Sequence, residues 1–168
     1  MKNQRGFTLL ELMVAVALIA IVASVAVPSW REFVANRRTA GASREILNAL
    51  QHTRMKAIKE GQTITVIYTD IHGIAISEPS DGSTGAFEKA FISWGENGDG
   101  TPETIEIFEV PRNVQCDTNQ GSMAYNSRGI LLATNSGTVR TWSSLTKREY
   151  SVVINNLGTL RQASGIHL

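Results

Sequence analysis

Apolar positions run almost unbroken through residues 7–27, FTLLELMVAVALIAIVASVAV, where only Thr8, Glu11 and Ser24 interrupt them. As a helix these 21 residues rise about 30 Å, the hydrocarbon thickness of a bilayer. Lys2 and Arg5 precede the run, which predicts that this end stays in the cytoplasm and that the remainder of the chain is exported. A cleaved secretory signal has a shorter apolar region, so the pattern reads as a membrane span. A plain anchor leaves Glu11 unexplained, because a carboxylate in a spanning helix costs about 2.5 to 3.5 kcal/mol on insertion scales. Snorkelling lowers that cost, since Glu11 lies only about 6 Å along the helix from Phe7.

Pro28 closes the run; it has no amide proton and disfavours helical geometry in Val27, which predicts a kink or local break. Beyond it, Phe33, Val34, Ile46, Leu47, Leu50, Ala57 and Ile58 recur at helical spacing between Arg37, Arg38, Arg44, Glu45, Lys56 and Lys59. Gly61 is a natural stop. One bent helix of about 80 Å over residues 7–60 is expected, its second half covering a sheet and Trp30 anchoring it at the membrane interface. After Gly61 the period changes to short β-type runs at 62–69, 73–77, 87–94, 104–110, 122–126, 129–133, 137–143, 149–155 and 157–162, with no second long helix. The fold class is therefore α+β: a long helix packed on a small antiparallel β-rich head.

Composition changes this picture little. Sixteen basic and 15 acidic residues leave a net charge of +1, which gives no overall attraction to nucleic acid. The stretch 112–168 holds six Lys/Arg against two Asp/Glu, a local basic surplus. Cys116 is the single cysteine, so no intrachain disulfide forms; a buried, unreactive thiol is expected, the alternative being a bond to another chain. His52, His72 and His167 are scattered and match no ligand spacing. Asn97, Asp99, Gly100 and Glu106 have the spacing of four calcium-loop positions, but Gly95 stands where the first aspartate belongs and the flanks read as strands, so a solvated turn is expected. No nucleophile elbow, phosphate-cradling loop or dinucleotide fingerprint occurs; neither enzyme activity, a metal nor a cofactor is expected.

Gly6-Phe7-Thr8-Leu9-Leu10-Glu11-Leu12, with its basic leader, apolar span and Pro28, resembles the processing motif of type IV pilins and type II secretion pseudopilins. That resemblance implies cleavage between Gly6 and Phe7 by prepilin peptidase, N-methylation of Phe7, and a bacterial inner-membrane protein with a periplasmic head. It also implies pairing of Glu11 with the N-terminal amine of a neighbouring subunit. Two apolar helices slide past each other at little cost, so an acid that must find an ammonium fixes their axial offset. The implied partners are other pilins or pseudopilins, the peptidase and an inner-membrane assembly platform. The organisation expected is a leader at 1–6, a transmembrane helix at 7–28, an amphipathic helix at 29–61 and a head at 62–168.

Residues 47–61, LNALQHTRMKAIKEG, leading into an Ile64/Val66 strand, look like the GspH/FimT branch of these proteins. Phe91-Ile92-Ser93-Trp94-Gly95-Glu96-Asn97-Gly98-Asp99-Gly100 and Tyr125-Asn126-Ser127-Arg128-Gly129 resemble the branch's aromatic strand with its turn and its strand-to-glycine turn. The resemblance implies a minor subunit that initiates, assembles or caps a pseudopilus or pilus. Some members of the branch resemble DNA-uptake receptors with a Gly-Arg-x-Arg signature; here Gly158-Thr159-Leu160-Arg161 matches only its glycine and second arginine. Arg161, Arg140, Lys147 and Arg148 are the candidate phosphate contacts of that alternative.

Overall fold

The computed structural model describes residues 7–70, 72, 74–76, 85–95, 103–132 and 136–166. The chain divides into two compact units, Met1–Val34 and Ala35–Leu168, each taken by itself below. One helix, α1, runs over Leu9–Glu60 and ends at Gly61, whose φ of 67° is the left-handed conformation that stops helices. Pro28 lies inside α1, and the helix continues on both sides of it, so the expected local break does not occur.

The buried face of α1 is Ala35, Thr39, Ala42, Ser43, Ile46, Leu50, Thr53 and Ala57, spaced three or four apart except for the adjacent Ala42 and Ser43. Most of these are small. The buried hydroxyls of Thr39 and Thr53 donate to the carbonyls of Ala35 and Ala49, four residues back, at 2.9 and 2.8 Å. Ile58 and Phe33, expected among the covered apolar residues, are half exposed.

Nine strands are present among the described residues: β1 Ile64–Thr69, β2 Gly85–Ala86, β3 Lys89–Trp94, β4 Glu103–Glu109, β5 Gln115–Thr118, β6 Ser122–Tyr125, β7 Gly137–Ser143, β8 Thr146–Ile154 and β9 Leu160–Ile166. They form two antiparallel sheets, ordered β4-β3-β1-β6 and β2-β5-β7-β8-β9. One core joins both to α1: Ile46, Leu50 and Ala57 meet Ile64, Val66 and Tyr68 of β1, Ile92 of β3, Met123 and Tyr125 of β6, and Val139, Val152 and Ile154 of β7 and β8. Tyr68 packs on Phe87 with ring centroids 4.7 Å apart, and Phe87 meets Phe108 edge-on.

Two expected strands are not present among the described residues. Residues 129–133 contribute only the bridge Tyr125↔Leu131, because Asn126 folds the chain into a turn first. Of 73–77, Ala75 bridges Thr69, while Gly73 and Ser77 lie outside the described residues. Two strands were not anticipated: β2, and β5, whose polar Gln-Cys-Asp-Thr becomes a strand through its partner β7. β9 begins at Leu160 rather than 157, after a second Asn turn.

Candidate functional site

Within the first unit, the large apolar side chains from Phe7 through Val27 are 49% to 86% exposed. Trp30, two-thirds exposed, stacks obliquely on Phe33 at 6.0 Å. Glu11 is the one charged residue between Phe7 and Val27. The Thr8 hydroxyl accepts the Glu11 N–H at 3.2 Å, while Glu11 Oε2 accepts the Thr8 N–H at 3.4 Å. This reciprocal pair is a capping box; it satisfies two of the orphan donors at a helix start. Thr-x-x-Glu before an apolar run is its sequence signature, and residues 8–11 carry it. The acid thus serves its own helix while keeping acceptor capacity for a further donor. Gly6 and the five residues before it lie outside the described residues.

In the head, residues of the 47–61, 125–129 and 158–161 segments converge at one place. Arg54 of α1 donates through Nε to the carbonyl of Gly129 at 2.9 Å, across 75 residues of sequence. Gly129 and Gly158 occupy matching turns. In each, the glycine N–H donates to the carbonyl of an asparagine three residues back at 2.8 Å, and that asparagine's Oδ1 accepts the N–H of the residue after the glycine, at 3.0 Å for Asn126 and 2.8 Å for Asn155. Their φ angles are 71° and 75°. A Cβ on Gly158 would overlap the Gly129 carbonyl oxygen, and one on Gly129 would lie 2.7 Å from Ile58. The two turns follow β6 and β8, so this node ties one strand of each sheet to α1. Beside it the fully buried Tyr125 hydroxyl has its pKa pushed up to about 12 by burial, with the Arg54 cation opposing the shift. The sequence singles out Arg54, Gly129 and Gly158 separately; only the fold makes them neighbours.

The four basic residues considered for phosphate contact do not share a face. Arg140 on β7 forks onto Asp117 of β5, with Nε to Oδ1 at 2.9 Å and a terminal nitrogen to Oδ2 at 2.6 Å, so its charge is already engaged. That bond raises the Arg140 pKa further. Arg161 on β9 is exposed and pairs in register with Val153, on the same side of the sheet as Arg140 but across strand β8. Arg148 has the alternation of Tyr150 and Val152 and so belongs to the side facing α1; Lys147 lies at the exposed start of β8. The one-dimensional cluster is split because neighbouring residues of a strand point to opposite faces. Cys116 is buried, as expected, and burial followed by the nearby Asp117 charge raises its thiol pKa, which disfavours the reactive thiolate. Of the calcium-loop residues, Asn97, Asp99 and Gly100 lie outside the described residues; Glu106 is in β4 and contacts Lys89 at 3.2 Å.

An exposed apolar helix opening on an acid-bearing cap, followed by a small β-rich head, defines the class of pilin-type filament subunits. The prokaryotic N-terminal methylation motif matches residues 1–27. The family described as type II transport protein GspH matches residues 42–158, and the chain belongs to it. It is 38% identical over 111 residues to a fimbrial protein of Pseudomonas aeruginosa, covering 62% of this chain and 68% of that one. Its fold is similar to the minor pseudopilin EpsH of the Vibrio cholerae type 2 secretion system, with a TM-score of 0.54, 14% identity and coverage of 76% and 97%. It is similar also to the Pseudomonas aeruginosa type IV minor pilin FimU, with a TM-score of 0.52, 14% identity and coverage of 78% and 92%. The family's members are structural subunits rather than enzymes.

Proposed function

We propose that this chain is a minor subunit that initiates or caps a type II secretion pseudopilus or type IV pilus, and that its span is both its storage anchor and its assembly surface. The supporting observation is the run of exposed apolar side chains from Phe7 to Val27 with one acid, Glu11, at its start. In this reading prepilin peptidase cuts between Gly6 and Phe7 and methylates Phe7, and an inner-membrane platform draws the subunit from the bilayer with its head periplasmic. Removing the leader removes Lys2 and Arg5, the charges that hold the amino end at the cytoplasmic face. The new ammonium of one subunit then meets Glu11 of the next, adding to the Thr8 bond and cancelling a charge that the apolar packing would otherwise strand.

Glu11→Ala tests this. The variant is expected to reach the inner membrane at normal levels and to be depleted in the sheared filament fraction, with loss of secretion or piliation. Complementing a secretion-deficient and a piliation-deficient strain separately assigns the system. Undiminished incorporation of Glu11→Ala, or a mature mass that still includes residues 1–6, would refute the proposal.

A further inference from the structure

Four strands end the two sheets, and they differ in how open they are. β2 and β6 are short, two and four residues. β4 and β9 are seven residues each, contain no proline, and have no strand on their outer edge among the described residues. An open edge of that length is normally blunted or used, because its unpaired N–H and C=O groups are a template for another strand.

The two long edges carry opposite charge. From residue 95 to 109 there are five acidic residues and no lysine or arginine. β4 itself presents Glu103, Glu106 and Glu109; Lys89 bridges the latter two at 3.2 and 3.8 Å, and Glu103 has no ion-pair partner among the described residues. Ile105 beside them is 47% exposed. β9 has cations on both faces and one acid beside it, Glu149 of β8, in register with Gly165. Gln162 donates to Ser43 of α1 at 2.9 Å, which sets Leu160, Gln162 and Ser164 toward the helix and Arg161, Ala163 and Gly165 away from it. On the helix side, Arg44 and Arg148 line two adjoining clefts that share Tyr150 and Ser164, and no acid lines either. Arg44, Arg148 and Arg161 have no ion-pair partner among the described residues. Ala163, Ser164 and Gly165 are small, so nothing bulky bars an incoming strand.

We propose that β9 of one copy takes up β4 of a second copy, antiparallel, so that the five-stranded sheet of one head continues into the four-stranded sheet of the next. Such a contact is heterologous: it joins two copies through different edges, β9 of one and β4 of the other. Confinement to one membrane or one filament supplies the effective concentration that a single seven-residue edge needs. The inference deepens the filament reading, which lays subunits side by side, and it stands or falls separately in experiment.

With Arg161 set beside Glu106, Ala163 lies opposite Thr104 at a Cα separation of about 5 Å, within disulfide reach. Full-length chains carrying Ala163→Cys and Thr104→Cys, each with its own tag, are reconstituted together in lipid vesicles and oxidised; Cys116 is buried. A mixed dimer is expected, at least about tenfold above the product of either variant alone. Arg161→Glu on the first chain should lower it about fivefold to tenfold at low salt, and Glu106→Arg on the second should restore it. No mixed product, equal self-dimers of Ala163→Cys, or indifference to charge reversal would overturn the inference. The filament reading is untouched by those outcomes, since it is judged by Glu11→Ala.

Discussion

Replacing Gly158 by alanine attacks the point where both sheets and α1 are joined. At φ 75°, a Cβ costs about 1 kcal/mol in backbone conformation. The new methyl would also overlap the Gly129 carbonyl oxygen and sit 3.3 Å from Arg54 Nε. Backbone oxygen cannot swing aside as a side chain does, so the turn must move and the Arg54 to Gly129 bond of 2.9 Å is lost. A hydrogen bond from a charged donor is worth about 1.5 to 3 kcal/mol, which brings the total loss to about 2.5 to 4 kcal/mol. Two other glycines calibrate this. Gly61→Ala meets the same left-handed penalty at φ 67° with no atom within 4 Å, and should lose about 1 kcal/mol; Gly41→Ala, inside α1 with equally open space, should gain about 0.5 to 1 kcal/mol. At about 3 to 4 °C per kcal/mol for a unit of this size, Gly158→Ala lowers the melting temperature by about 8 to 16 °C and Gly61→Ala by about 3 to 4 °C. Near-ultraviolet circular dichroism of the full chain in mild detergent follows the head's aromatic core. A Gly158→Ala loss no larger than that of Gly61→Ala would show that the two turns are not in contact under Arg54.

Arg140→Ala should destabilise the head by about 2 to 4 kcal/mol in urea titrations, because Asp117, whose side chain is 7% exposed, is left without its cation; Asp117→Asn on that background should recover part of the loss. Alkaline pH should unfold the head through its buried phenols. Tyr125 ionises near 10 when unfolded and about 12 when folded, so its contribution is complete below pH 10 and is lost as pH rises toward 12, at most about 3 kcal/mol. The raised pKa values of Tyr68 and Cys116 act in the same direction. A Tyr125→Phe variant should show a shallower fall in urea midpoint between pH 10 and 11; an unchanged slope would place the phenol in contact with water.

The anchor, the acid, the helix extent and the β-rich head are all legible in the order of residues, since each rests on a local period or a short motif. Residues 137–143 were expected as a strand from their β-type composition, and β7 has those bounds. β5 was not expected, because Asp117 becomes a strand residue only when Arg140 arrives from 23 positions away. The capping box of Thr8 and Glu11 was readable by spacing, whereas the node of Arg54, Gly129 and Gly158 was not: a glycine shows that space is needed, never what fills it.

By itself, then, the sequence determined that a 21-residue apolar run with an acid near its start precedes a head with a single cysteine, because hydrophobicity, charge and helical period are properties of neighbouring residues. The tertiary structure decided which basic residues are committed and which lie open, dividing Arg140 from Arg161 and Arg148, and which two strand edges remain unpaired. Those depend on pairing across the sheets, where contacts are set by register rather than by distance along the chain.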